Sequence, residues 1–187
     1  QSGDISIKQA KLPLLSAEAV NIPLEVSDQF FGNQGAAITI VEFIDYNSAK
    51  SRAIHETLVA FVKKNPEKVR LGALDFPRLG LFSDKNILPH TAAYCARKIG
   101  WKPYFSFVDE IMKQPKNITE EKTLSDIAVS QKFNLPDWQS CLSSPEAETK
   151  IRTSITLAKS LGLKAAPEIF INNKKVTIME LESFFDK

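Results

Sequence analysis

The chain has 187 residues, a hydrophobic content of 43% and a formal net charge of +2. This length suits one domain, or one domain with a large insertion, and the apolar content is sufficient for a hydrophobic core. The small net charge gives no reason to expect a nucleic-acid partner. No apolar run approaches the ~20 residues that a membrane crossing needs, so we expect no transmembrane segment.

The N-terminal region, residues 1–25, is weakly patterned and is interrupted by Pro13 and Pro23. We interpret it as an arm or a linker. As an arm, it is a candidate for self-association into a homo-oligomer. Residues 26–31 fit an edge strand, and a turn follows over residues 32–35.

A strand and a helix follow this turn. Residues 37–45 are almost continuously apolar and rich in β-branched side chains, which is typical of a strand buried on both faces. Residues 48–64 carry an apolar stripe with helical spacing, and the predicted helix ends before Pro66. Residues 69–75 fit a second strand.

The middle of the chain has helical spacing throughout, and four helices are predicted there, over residues 87–99, 103–113, 119–131 and 136–142. The chain then closes with a long helix, a hairpin and a short helix, over residues 146–161, 167–178 and 179–185. This order predicts an α/β sheet interrupted by an all-helical insertion. We assign the sheet domain to residues 26–82 and 146–187, and the insertion to residues 83–145.

The clearest motif lies where the first long strand meets its helix. Residues 41–46 read V-E-F-I-D-Y, and Ser48-Ala49-Lys50-Ser51 opens the helix. The second strand leaves through Phe76-Pro77, and Gly162 begins a G-x-x-x-x-P-x-x-F-I-N segment that contains Pro167. Over roughly residues 26–185, this layout resembles the DsbA-like branch of thioredoxin-fold oxidoreductases.

The resemblance implies a thioredoxin-like fold with an all-helical insertion. It also implies that Ser48-Ala49-Lys50-Ser51 occupies the place of the family's Cys-x-x-Cys redox pair. Pro167 matches the family's cis-proline, which faces that pair, and the backbone edge at Ala166-Pro167 matches the edge that pairs with an extended substrate peptide. Ala166 stands where the family's oxidoreductases usually carry Thr or Val.

Two serine hydroxyls cannot form a disulfide, so the motif keeps the family's layout without its chemistry. The simplest role of Ser48 is to cap the helix, which contributes roughly 1 kcal/mol. A more specific hypothesis is that Ser48 donates a hydrogen bond to a bound thiol or carboxylate, as in kappa-class glutathione transferases. A Ser–Lys dyad with Lys50 is a further alternative, although no desolvating context for this lysine is evident.

Three ionisable residues need an explanation. Glu42 lies in an apolar strand, where a carboxylate is costly unless it is paired or neutral. The resemblance identifies it as the buried acid beneath the redox pair, and we expect a hydrogen bond to Ser51 or Lys50. We expect His55 and His90 at the surface or at helix ends, because a lone histidine is a poor metal site. We therefore predict no metal and no cofactor.

The two cysteines, Cys95 and Cys141, fall in two of the predicted helices of the insertion and match no Cys-x-x-Cys pattern. The resemblance implies a structural disulfide between them, because some family members carry one across the insertion. Closing a loop of this size contributes roughly 4 kcal/mol on a chain-entropy basis. The alternative is a pair of buried free thiols.

These observations favour a non-catalytic DsbA-like protein that acts by binding a protein or an extended peptide. It would serve as a structural subunit of an envelope assembly, an adaptor or a peptide-holding chaperone. The alternatives are a glutathione- or thiol-binding transferase that uses Ser48, and a cysteine-to-serine variant of a disulfide oxidoreductase. A periplasmic location is implied by the resemblance alone, because Gln1-Ser2-Gly3 resembles the scar of a cleaved tag and shows no export signal.

Overall fold

The structure is a computed structural model that describes residues 18–23, 30–78, 83–114 and 118–185. Most of the expected N-terminal arm and most of the expected edge strand over residues 26–31 lie outside the described residues. Self-association through the arm therefore stays a prediction. Within the described residues, no helix has the length and apolarity to cross a bilayer.

Five strands form one mixed sheet, namely β1 (Phe31–Gly32), β2 (Ile38–Ile44), β3 (Val69–Asp75), β4 (Glu168–Ile171) and β5 (Lys174–Val176). Their order across the sheet is β1-β3-β2-β4-β5. The central pair, β2 and β3, is parallel, and the other neighbours are antiparallel. Because parallel strands run in the same direction, the carboxyl ends of β2 and β3 meet at one edge, where Ile44 lies opposite Asp75.

Seven helices are described, namely α1 (Ala49–Lys64), α2 (Ser83–Ile99), α3 (Trp101–Met112), α4 (Glu121–Ser130), α5 (Leu135–Leu142), α6 (Pro145–Ser160) and α7 (Ile178–Phe185). Each predicted helix is present, with ends that differ by a few residues. The largest difference is at α2, which begins four residues before its predicted start and continues through Pro89. A proline removes one backbone donor, but the buried face of α2 holds the helix together on both sides of it.

The sheet has a hydrophobic core on each face. The side chains of β2 alternate between the two, because Ile40 packs in one cluster while Val41 and Phe43 pack in the other. The first cluster is completed by α1 and α7, and the second by α6. This arrangement confirms that residues 37–45 hold a strand buried on both faces.

The helices between β3 and α6 form a third hydrophobic cluster, which includes Tyr104, Phe107 and Trp138. A disulfide between Cys95 on α2 and Cys141 on α5 joins two of these helices. The predicted pairing is therefore confirmed, and the alternative of two free thiols is wrong. Neither cysteine is available as a free thiol.

The hairpin between β4 and β5 turns at Asn172 and Asn173, whose φ angles are 46° and 66°. Asparagine tolerates this left-handed region better than most residues. The Asn172 side chain also accepts a hydrogen bond from the Thr39 N–H at 2.8 Å, so the turn is tied to the start of β2.

Candidate functional site

The site begins at the N-terminus of α1. Ser48 occupies the N-cap position with an extended backbone, and its Oγ accepts a hydrogen bond from the Ser51 N–H at 3.3 Å. The predicted capping role is therefore confirmed. The next two residues, Ala49 and Lys50, are exposed, so the serine–lysine pair lacks the desolvation that would activate a lysine.

The second serine has a structural environment that differs from the first. Ser51 has no exposed surface, and its Oγ accepts a hydrogen bond from the Asp45 N–H at 3.3 Å. This bond joins the first turn of α1 to the residue that follows β2. The hydroxyl of Ser51 therefore faces the interior, whereas Ser48 is half-buried and lines a cleft.

A buried acid–base pair lies beneath this corner. Glu42 on β2 and His55 on α1 are 1% and 2% exposed, and Glu42 Oε1 shares a short hydrogen bond with His55 Nδ1. The expectations that Glu42 pairs with Ser51 or Lys50, and that His55 lies at the surface, are both wrong. Burial opposes protonation of His55, but the charge and hydrogen bond of Glu42 outweigh it and raise the pKa of His55 above its usual value.

The sequence contained a signal for this burial. Ser51, His55, Leu58 and Val62 follow the helical spacing of one face, and all four are buried. The position of His55 on that face predicts a buried side chain. The sequence did not indicate that Glu42 is the partner of His55, because this pairing depends on how α1 packs against β2.

A second buried cluster lies at the carboxyl ends of β2 and β3. His90 on α2 has no exposed surface, and its Nδ1 lies 2.8 Å from Asp75 Oδ1. Its Nε2 lies 3.8 Å from Asp45 Oδ1. The expectation that His90 lies at the surface or caps a helix is therefore wrong.

Contacts within this cluster shift the pKa values of His90 and Asp45. Burial opposes protonation of His90, but its hydrogen bond to Asp75 and the nearby acidic groups of Asp45 and Asp75 outweigh it, so the pKa of His90 is raised. Burial would raise the pKa of Asp45, but His90 and the backbone N–H groups of Asn47 and Arg78 outweigh it and lower that pKa. The two acidic side chains therefore favour the protonated form of His90.

Asp45 also connects this cluster to the surface. Its Oδ1 accepts the Asn47 N–H at 2.9 Å, and its Oδ2 accepts the Arg78 N–H at 3.2 Å. One buried carboxylate thus fixes both the turn before α1 and the segment after β3. Both segments contribute residues to the lining of the cleft.

The cleft has a volume of about 710 Å³, within the range of known ligand pockets. Its lining includes Asn47 and Ser48, which immediately precede α1, and Ala165 and Ala166 from the segment before β4. The peptide bond between Ala166 and Pro167 is cis. Within the described part of the chain, the backbone groups of Ala165 and Ala166 have no hydrogen-bond partner. The structure thus places the serine corner and the predicted peptide-binding edge on one cleft.

The described residues contain no cluster of three or more acidic, histidine or cysteine side chains that could hold a metal ion. Of the acids near His90, Asp75 shares a hydrogen bond with its Nδ1, and Asp45 lies 3.8 Å from its Nε2.

A thioredoxin family model matches residues 25–186. The chain belongs to the thioredoxin family. No curated protein sequence matches this thioredoxin-family chain significantly, so the more specific comparisons come from solved structures.

Several solved structures share its fold. A thioredoxin-like oxidoreductase from Silicibacter pomeroyi DSS-3 is 25% identical, with a TM-score of 0.72 over 87% of this chain and 92% of that one. The thiol-disulfide exchange protein alpha-DsbA2 from Wolbachia pipientis is 20% identical, with a TM-score of 0.73 over 87% of each chain. A periplasmic thioredoxin-like protein from Salmonella enterica serovar Typhimurium is 18% identical, with a TM-score of 0.68 over 86% of this chain and 88% of that one.

These similarities confirm the DsbA-like, thioredoxin-like fold that the motifs predicted. The equivalence of Ser48 and Ser51 to the redox pair of the family stays a prediction, as do the domain boundaries and the peptide-binding role of the Ala166-Pro167 edge.

Proposed function

We propose that this protein is a non-catalytic, DsbA-like protein of the periplasm that binds an extended segment of a partner protein. The proposal rests on one observation. The cleft between the N-terminus of α1 and the Ala166-Pro167 bond is lined by a serine hydroxyl and by unpaired backbone groups. It offers surfaces for binding and no sulfur for electron transfer.

The chemistry of sulfur supports the non-catalytic part of the proposal. Thiol–disulfide exchange begins with attack by a thiolate. The chain has two cysteines, and both belong to the disulfide that joins α2 and α5. The positive end of a helix lowers the pKa of a thiol into the functional range, but a serine hydroxyl starts from a far higher value.

The backbone at the cleft supports the binding part. An extended peptide binds a protein through main-chain hydrogen bonds when the protein presents unpaired N–H and C=O groups along an edge. Ala165 and Ala166 present such groups to the cleft. Their small side chains leave this edge open to another backbone.

The disulfide and one similar structure support the periplasmic location. Disulfides form and persist in oxidising compartments such as the bacterial periplasm. The Salmonella enterica protein with the same fold is described as periplasmic. Within that compartment the protein would act as a structural subunit of an envelope assembly, an adaptor or a peptide-holding chaperone.

The redox part is tested with insulin reduction and with oxidation of a dithiol peptide. We expect no turnover by the native protein, and measurable oxidation by the Ser48→Cys/Ser51→Cys variant, which serves as the positive control. Turnover by the native protein that is lost in Cys95→Ala or Cys141→Ala would show a displaced redox centre and would refute the proposal.

The binding part is tested by fluorescence anisotropy with labelled, unstructured peptides. Ala165 is exposed and lines the cleft, so Ala165→Trp fills the cleft without disturbing the core. Ala53 is also exposed but does not line it, which makes Ala53→Trp a matched control. We expect the first variant to lose peptide binding and the second to keep it. Equal binding by both variants would place the peptide site elsewhere.

A thiol-binding transferase remains a second candidate because of the orientation of Ser48. Its oxygen accepts the Ser51 N–H, so its hydroxyl hydrogen is free to be donated into the cleft. Calorimetric titration with glutathione tests this function. Binding that Ser48→Ala abolishes would favour the transferase over the peptide-binding protein.

A further inference from the structure

The charge of the cleft limits which partners it accepts. Arg78, Lys159 and Lys164 all line it and are all exposed. They come from the segment after β3, the end of α6 and the segment before β4. The cationic side chains therefore come from three separate segments of the cleft lining.

The described residues do not neutralise these cations. Among the described residues, no carboxylate forms an ion pair with any of the three. Among the described residues that line the cleft, Asp45 is the one acidic residue. Its carboxylate already interacts with His90 and with two backbone N–H groups, so the lining keeps a positive excess.

The N-terminus of α1 adds to this excess. The first backbone N–H groups of a helix have no partner within the helix, and the aligned peptide dipoles place a partial positive charge there. Ser48, which caps this end, lines the cleft, and no acidic residue occurs in the first turn of α1. The positive end of this dipole therefore favours negative charge in the cleft.

We infer that the cleft selects an acidic extended segment of its partner, with aspartate or glutamate side chains placed against Arg78, Lys159 and Lys164. This inference rests on the proposed function, because it names the class of peptide that the proposed cleft would bind. The distribution of the cations and the open backbone at Ala165 and Ala166 favour a chain of several residues over a single small anion.

Three labelled peptides of equal length test the inference in the full chain. One contains glutamates, one contains glutamines at the same places and one contains lysines there. We expect the acidic peptide to bind most tightly and the basic peptide most weakly. Raising the salt concentration should weaken binding of the acidic peptide and leave that of the neutral peptide nearly unchanged.

Charge reversal supplies the decisive variant. Lys159→Glu/Lys164→Glu should weaken binding of the acidic peptide by on the order of 10-fold at low salt, because two exposed attractions become repulsions. It should also improve binding of the basic peptide. Lys68→Glu/Lys102→Glu changes the net charge equally at two exposed residues outside the cleft lining, and we expect it to change neither affinity appreciably.

The outcomes separate this inference from the proposed function. If all three peptides bind equally and Ala165→Trp still abolishes binding, the cleft binds peptides without selecting charge, and only the inference fails. If glutathione or inorganic phosphate binds and no peptide does, both the inference and the peptide-binding function fail. Equal losses in the two charge-reversal variants would also overturn the inference, because the effect would then come from net charge alone.

Discussion

His90 Nδ1 lies 2.8 Å from Asp75 Oδ1, and both side chains are buried at the carboxyl edge of the sheet. The ring of His90 also packs against that of Tyr46, with centroids 4.4 Å apart. Because Asp45 approaches the other ring nitrogen, the histidine connects α2 to the ends of both parallel strands. The wall of the cleft is therefore built on a buried charge cluster.

The first prediction concerns pH. The folded-state pKa of His90 is raised above its unfolded value of about 6.5. Protonated His90 therefore stabilises the fold fully below its unfolded-state pKa. This contribution is lost as the pH rises through its folded-state pKa. The pKa of His55 is also raised, so its contribution to stability is lost with rising pH in the same way. We expect the melting temperature to fall as the pH is raised above about 6.5, as followed by circular dichroism.

Two variants test the origin of this fall. His90→Gln and His55→Gln should each have a lower melting temperature than the native protein at about pH 6. Each should also lose part of the pH dependence, and the double variant should lose most of it. If the double variant kept the full alkaline decline, other groups would be responsible for it.

The second prediction concerns Glu42 and His55. Removing one member of a buried ion pair leaves an uncompensated charge, which costs about 3 kcal/mol or more, whereas replacing both by apolar residues is often nearly neutral. We expect Glu42→Leu and His55→Leu to be strongly destabilising alone. Urea denaturation should show that Glu42→Leu/His55→Leu is more stable than the sum of the single losses by at least about 1 kcal/mol. Additive losses would mean that the pair is not coupled.

The third prediction concerns the disulfide. Cys95 and Cys141 are 46 residues apart in sequence, and closing such a loop contributes about 4 kcal/mol on the chain-entropy model. We expect Cys95→Ala/Cys141→Ala to lower the melting temperature by roughly 8–16 °C, given 2–4 °C for each kcal/mol in a domain of this size. A reductant should lower the melting temperature of the native protein but not that of the variant. A further drop in the reduced variant would point to an effect unrelated to this bond.

The fourth prediction separates the two serines. Ser51→Ala leaves the buried Asp45 N–H without its acceptor, which costs about 1–3 kcal/mol. Ser48→Ala removes a cap and costs about 1 kcal/mol, while Ser48→Asp keeps a capping oxygen and places a negative charge at the helix N-terminus. Chemical denaturation should therefore rank Ser48→Asp at or above the native protein. A destabilised Ser48→Asp together with a neutral Ser48→Ala would contradict the capping role.

Local patterns in the sequence were sufficient for most of the fold. The continuous apolar run at β2, the turn residues Asn172 and Asn173, and the serine at the start of α1 each act within a few neighbouring residues. Their structures could be predicted because these signals depend on backbone preference and on periodicity. The start of α2 was placed four residues too late, at Ile87 instead of Ser83, because apolar spacing marks the buried face of a helix better than its ends.

The buried histidines could not be placed in the same way. His55 and His90 pair with acids 13 and 15 residues away in sequence, and each contact exists only because a helix packs against a strand at a particular register. Asp75 is the last residue of β3, and it lies opposite Ile44, the last residue of β2. Asp45 is the next residue after Ile44. That both carboxylates reach one histidine is a property of the assembled sheet.

The amino-acid sequence by itself determined that the chain forms a thioredoxin-like sheet with a helical insertion, because apolar periodicity and local backbone preferences are short-range. It also determined that the serine corner has no sulfur. Only the tertiary structure decided which charges are buried in pairs and which ones line the cleft, because the solvation of a charged group depends on residues that are distant in sequence and adjacent in space.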